Sequence, residues 1–198
     1  NVFIASTARH INLFIGGNVF IWNNTLTGYN LTMPTKNPDG QISIGADIAG
    51  THPLAADIRN NLIYDNLPSN ALWLAAVHFN QTNASTAYRD YNLYWAAAVW
   101  DEDRLVASYY NSPTSRYYSY NRYDEWVSDS AYDVNSQLIQ PLFVDSTSNY
   151  QLQSESPAID AGTSVSAVEI SHPMMDTYTI GAYDILGNTR SLSTPTIG

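Results

Sequence analysis

Ile58-Arg59-Asn60-Asn61-Leu62-Ile63 has two counterparts in the same chain. Ile21-Trp22-Asn23-Asn24-Thr25-Leu26 lies 37 residues before it, and Arg89-Asp90-Tyr91-Asn92-Leu93-Tyr94 lies 31 residues after it. Asn24, Asn61 and Asn92 align. A weaker pair falls between the units, Ile42-Ser43-Ile44-Gly45 and Leu72-Trp73-Leu74-Ala75. Each segment alternates apolar with other residues over a few positions, which is the period of a short strand. Asn37-Pro38-Asp39-Gly40 and Leu67-Pro68-Ser69-Asn70 supply turns between them. Strand-only repeats of this length, with an asparagine at a fixed place, predict an all-β chain. The expected architecture is a right-handed, single-stranded parallel β-helix whose coils stack at ~4.8 Å.

The asparagine has a physical task in such a stack. At the bend between two strands it tolerates left-handed backbone angles. Its amide can also bond the equivalent asparagine of the next coil, so that Asn24, Asn61 and Asn92 form a buried ladder. An antiparallel sandwich with regular turns explains the alternation but not the recurring Asn-Asn-aliphatic unit.

Composition narrows the function classes. Hydrophobic residues make up 44% of the 198, enough for a core of one domain spanning 1–198. Charged residues make up only 13%, about half the usual ~25%. The formal charge is −10, and the cations are Lys36 and seven arginines. That balance opposes binding to the phosphate backbone of nucleic acid. No apolar run reaches the ~18 residues of a membrane span, so membrane insertion is not expected. Without cysteine there is neither a disulfide framework nor a thiolate metal site. His10, His52, His78 and His172 lie far apart and show no metal-ligand spacing. Asn23, Asn30, Asn80 and Asn83 head glycosylation-type triplets.

From about 99 to 130 the repeat breaks. This stretch holds Tyr109, Tyr110, Tyr117, Tyr118, Tyr120, Tyr123 and Trp126, and is expected to loop off the stack as a Tyr-rich insertion anchored by Trp126.

Asp90-Tyr91-Asn92-Leu93-Tyr94-Trp95 begins a longer series of motifs. Trp126 follows, then Asp133-Val134-Asn135-Ser136, Pro141-Leu142-Phe143-Val144-Asp145, Tyr150-Gln151-Leu152 and Ser156-Pro157-Ala158-Ile159-Asp160-Ala161-Gly162. The end reads Asp184-Ile185-Leu186-Gly187-Asn188-Thr189-Arg190 and Ile197-Gly198. This order resembles the C-terminal half of secreted right-handed β-helix proteins of the pectin-lyase-like superfamily. Gln140 stands where that family usually has an Asp, and the family usually continues beyond the final Ile-Gly. The chain is therefore expected to be the C-terminal part of a longer, extracellular or cell-surface protein. The resemblance specifies the fold better than the activity.

What it implies is action on, or binding to, a polysaccharide. In the aligned register Trp22, Arg59 and Asp90 form one outward column: a ring for stacking on a sugar, a donor and an acceptor. The structural alternative is a solvated face with one weak ion pair. Lyases of this fold use an Arg or Lys base and often calcium held by carboxylates, which makes Arg59, Arg89 and Asp90 the catalytic candidates here. Asp101-Glu102-Asp103 is the closest approach to a calcium loop and is better explained as a solvated turn. Asp57, Asp65 and Asp90 are candidates for a glycosidase pair, a weak signal. Trp22, Tyr117 and Tyr118 are the expected substrate platform. The competing function is a structural or adhesive surface protein that self-associates through the ends of its stack.

Overall fold

The computed structural model describes residues 2–4, 11–13, 17–27, 40–44, 54–65, 74–79, 88–96, 104–109, 116–165, 168–172, 175–180, 189, 191 and 193–198. The described chain is mostly β, with parallel sheets and one α-helix. Its first strands are β1 (Val2–Ile4), β2 (Ile11–Leu13), β3 (Gly17–Trp22), β4 (Thr25–Thr27), β5 (Gly40–Ile44) and β6 (Leu54–Arg59). They continue with β7 (Leu62–Asp65), β8 (Leu74–Phe79), β9 (Tyr88–Asp90), β10 (Leu93–Ala96) and β11 (Arg104–Tyr109).

These eleven strands visit three sheets in rotation. With β13 (Gln137–Leu138), the first sheet runs β1-β4-β7-β10-β13. The second is β2-β5-β8-β11, with β12 (Arg116–Ser119) on its edge, and the third is β3-β6-β9. Every neighbouring pair is parallel except β11 with β12.

Alternation along each strand separates an inner from an outer face. Leu26, Ile63 and Tyr94 from the first sheet meet Ile42, Val77 and Ala107 from the second and Val19, Ile21, Ala56 and Ile58 from the third in one buried core. Leu62, Tyr64 and Leu93 point the other way. They form a second cluster with Phe143, Ala158 and Ile197 on the outside of the first sheet. Phe143 belongs to a hairpin of β14 (Phe143–Asp145) and β15 (Asn149–Leu152). The chain end is pinned to the same outer face: Ile197 N–H donates to Ala158 O, and Gly198 N–H to Asn60 O, each at 2.8 Å. A second hairpin joins β16 (Val168–His172) to β17 (Met175–Ile180).

The expected insertion begins later than composition suggested. Arg104–Tyr109 pairs in parallel with β8, so it extends the second sheet instead of leaving it. Departure starts after β11, with the antiparallel β12, a 3-10 turn at Tyr120–Arg122 and helix α1 (Tyr123–Ser130). In the rotation of strands α1 comes where a fourth strand of the third sheet is due. It is short and has no side-chain N-cap bond, although Asp124 and Glu125 suit its positive end. So short a helix depends on packing. Trp126, fully buried in the main core, supplies it, and Ala131 ends the helix in the left-handed region at φ 57°.

Candidate functional site

The expected asparagine ladder is present. Asn24 Nδ2 donates to Asn61 Oδ1, and Asn61 Nδ2 to Asn92 Oδ1, each at 3.0 Å. The backbone N–H groups of Asn24 and Asn61 donate to the same two oxygens, at 3.2 and 2.9 Å. The remaining amide hydrogens turn back to Trp22 O, Ile21 O and Ile58 O. One detail differs from expectation. The left-handed bend is taken by the residue before each rung, Asn23, Asn60 and Tyr91, at φ 55°, 59° and 54°. Bend and ladder are thus divided between two neighbours. Tyr91 shows that the bend accepts a non-Asn residue, at a cost of about 1–2 kcal/mol.

A rung that sequence comparison missed is Ser136. It precedes β13 as Asn92 precedes β10, and its Oγ accepts from Asn92 N–H at 2.9 Å. Its distance from Asn92, 44 residues, hid it, because α1 lengthens that circuit. Ser136 Oγ then donates to Asp133 Oδ1 at 2.6 Å, so the ladder ends on a buried carboxylate.

Asp133 accounts for Arg89. In the third sheet the register aligns Ile21, Ile58 and Arg89, which makes Arg89 an inward residue. Its guanidinium is buried, 2.6 Å from Asp133 Oδ2, and lies over the rings of Tyr94 and Trp126 at 5.0 and 4.9 Å. Tyr94 Oη and Trp126 Nε1 donate to the same carboxylate at 2.9 and 2.8 Å. Burial pushes the Tyr94 phenol well above its ordinary pKa, with the Arg89 charge opposing, so it remains a donor. The candidacy of Arg89 as a catalytic base is therefore corrected. It has no exposed edge for a substrate and serves the core.

Trp22, Arg59 and Asp90 do form one column of register on the outer face of the third sheet. Phe20, Asp57 and Tyr88 form a second column beside it. Arg59 is gripped by Asp57 through Nε to Oδ1 at 2.6 Å and Nη2 to Oδ2 at 2.5 Å, and its Nη1 reaches Ser164 O at 3.3 Å. Its Cζ lies 5.6 Å from the Trp22 ring centre and 5.0 Å from that of Tyr88, close enough for cation–π attraction. Trp22 is itself mostly covered, with Phe20 against it at 5.0 Å. The rings that meet solvent are Phe20, 48% exposed, and Tyr88, 47% exposed. Partial burial raises the Tyr88 pKa, and the Asp90 charge adds to this, so its hydroxyl keeps its proton at neutral pH. Phe20 and Tyr88 were missed in the sequence although both lie two positions before a member of the expected column, which is the same face of a strand.

Asp90 itself is buried. Its carboxylate accepts from Tyr91 N–H, Asn135 N–H and Asn135 Nδ2 at 2.9, 2.7 and 2.8 Å, tying β9 to the turn before β13.

The rest of the expected platform is Tyr117 and Tyr118. Tyr118 is buried, with its Oη on Asp129 and its ring 5.3 Å from that of Trp126, so it anchors α1 and offers no stacking face. Tyr117 lies in β12 opposite Ser108, and its side chain is outside the described residues. Asn23 is only 4% exposed, which leaves no room for an attached sugar in the folded chain. Asn30, Asn80 and Asn83 lie outside the described residues, as do His10, His52 and Asp101-Glu102-Asp103.

A cleft of about 310 Å³ on the β14–β15 hairpin is lined by Tyr64, Gln140, Phe143, Asp145 and Gln153 among others. Among the described residues it brings no second carboxylate to Asp145. Among the described residues no group of three or more His, Asp or Glu side chains is placed to hold a metal ion, and no helix is long and apolar enough to cross a membrane. Comparison of the chain with protein-family models, with curated proteins and with solved structures finds no match.

Proposed function

We propose that the chain is part of a right-handed parallel β-helix of the pectin-lyase-like kind, acting outside the cell or on its surface as a glycan-binding protein. Strict rotation through three parallel sheets supports the helix, and the strong preference for right-handed crossovers supports its hand. One observation carries the binding reading. The outer face of the third sheet presents two exposed rings, Phe20 and Tyr88, around the hydrogen-bonding pair Asp57–Arg59. Flat rings stack on the apolar faces of sugars, while a carboxylate and guanidinium match their hydroxyls.

Binding is favoured over catalysis by the state of the candidate groups. Arg59 already donates two N–H bonds to Asp57, Asp90 is buried and accepts three bonds from Tyr91 and Asn135, and Arg89 is inside. None of the three is a free acid or base positioned for proton transfer.

A glycan array tests the proposal, run with and without calcium and followed by assays for cleavage products. Retention of carbohydrate without cleavage, lost in Arg59→Ala, is the expected result. Failure to retain any carbohydrate would sink the binding reading, and release of shortened or unsaturated products would replace it with an enzymatic one.

A further inference from the structure

The geometry of the outer face points to a ligand class, and this inference rests on the glycan-binding reading: we propose a linear, extended, uncharged glycan lying across the strands. Phe20, Asp57 and Tyr88 occupy the same register position on β3, β6 and β9. The two exposed rings therefore rise from backbone positions two strand spacings apart, about 9.6 Å at ~4.8 Å per spacing. A pyranose unit in an extended chain advances by about one such spacing. In a two-fold extended chain, alternate units present the same ring face to one side. Units one and three then stack on Phe20 and Tyr88, and the unit between them lies over Asp57.

The middle position has the chemistry for that unit's hydroxyls. Each Asp57 oxygen accepts one bond from Arg59 and retains a lone pair for a second donor. Arg59 is held from three sides by Asp57, Ser164 and the flanking rings, so it is rigid before any ligand arrives. Preorganisation of this kind reduces the ordering cost of binding.

Charge selects against uronates. Binding a carboxylate bidentately needs a free guanidinium fork. The Nε–Nη2 edge of Arg59 already serves Asp57, and Asp90 stands next to it in register. Two carboxylates and one guanidinium leave the described face with one negative charge, in a chain whose formal charge is −10. A polyuronate therefore meets repulsion locally and at longer range.

The test is calorimetric titration of the native chain with manno- and cello-oligosaccharides from disaccharide to hexasaccharide, and with oligogalacturonates of the same lengths. Affinity is expected to rise steeply from disaccharide to trisaccharide for the uncharged series, and the oligogalacturonates should bind at least about tenfold more weakly. Phe20→Ala and Tyr88→Ala should each weaken the trisaccharide about tenfold and remove the step with length, since one platform remains. Tyr88→Phe should bind like the parent. Circular dichroism checks that each variant folds, which the exposure of both side chains favours. Equal affinity at all lengths, parental binding by both alanine variants, or preference for the oligogalacturonates overturns the inference while leaving glycan binding in place. Failure of every saccharide to bind removes both.

Discussion

Arg59 and Arg89 stand on adjacent strands of one sheet, one register position apart, in nearly the same company. Each is paired with an aspartate, and each lies over two aromatic rings. Strand alternation sends them to opposite faces. The Arg89 pair is wholly inside, whereas the Arg59 and Asp57 side chains retain 18% and 19% of their exposure. Identical chemistry therefore has two different consequences. Inside, the desolvated pair depends on hydrogen-bond partners, and it is tied to Tyr94, Trp126 and the end of the asparagine ladder. Outside, water screens the pair and leaves it open to a ligand. The difference can be tested by changing each region in turn.

Removing one inner partner should have the largest effect. Asp133→Ala strands the Arg89 charge and frees Trp126, so urea unfolding should show a loss of about 3–5 kcal/mol. Replacing both partners, Arg89→Met with Asp133→Leu, should recover much of that loss. A double variant as unstable as the single one would show that the network acts through something other than paired burial.

The ladder that ends on this network comes next. Asn61 both donates and accepts between rungs, so Asn61→Ala should cost about 1–3 kcal/mol in the same assay. Gly162→Ala belongs to a similar range, about 1–3 kcal/mol. A Cβ there would sit 2.5 Å from Pro195 O and 2.9 Å from Asn60 Oδ1, where the chain end crosses the outside of the bend. Unchanged stability in that variant would mean that the outer strap yields without loss.

Arg59→Ala should lower stability by about 1 kcal/mol or less, as expected of a screened pair, while abolishing carbohydrate retention. A large stability loss would erase the contrast with Arg89.

The smallest effect concerns Asp145, an exposed carboxylate. Bonds from Ser148 Oγ, Thr147 Oγ1 and Thr147 N–H lower its pKa from 3.8 to about 2. Because its folded value is depressed, its contribution is present above the unfolded value near 3.8 and is lost as pH falls through about 2. An NMR titration of the β14–β15 turn should show the low midpoint, and Asp145→Asn should flatten the stability profile between those two values.

The asparagine repeat and the strand alternation were legible along the chain, because each repeat unit makes the same local demand: a bend and a buried amide between short strands. Asn24, Asn61 and Asn92 could be aligned on that ground alone. Ser136 could not, since α1 separates it from Asn92 and a hydroxyl does not resemble an amide in sequence. The outward column Trp22, Arg59 and Asp90 was also legible from register. The exposed rings of the neighbouring column, Phe20 and Tyr88, depend on which side chains remain uncovered after packing.

Local pattern, then, determined strand positions, the ladder and the faces of the third sheet, because period and turn chemistry act between near neighbours. Tertiary structure alone decided the roles of the charged and aromatic residues. Asp133 lies 44 residues from Arg89, so only folding brings the carboxylate that makes a buried guanidinium tolerable. Tyr118 resembles part of a surface platform in composition and becomes a core anchor beside Trp126, whose anchoring role was expected. Charge and ring chemistry depend on the surrounding dielectric and on the partner present, and both are properties of the assembled chain.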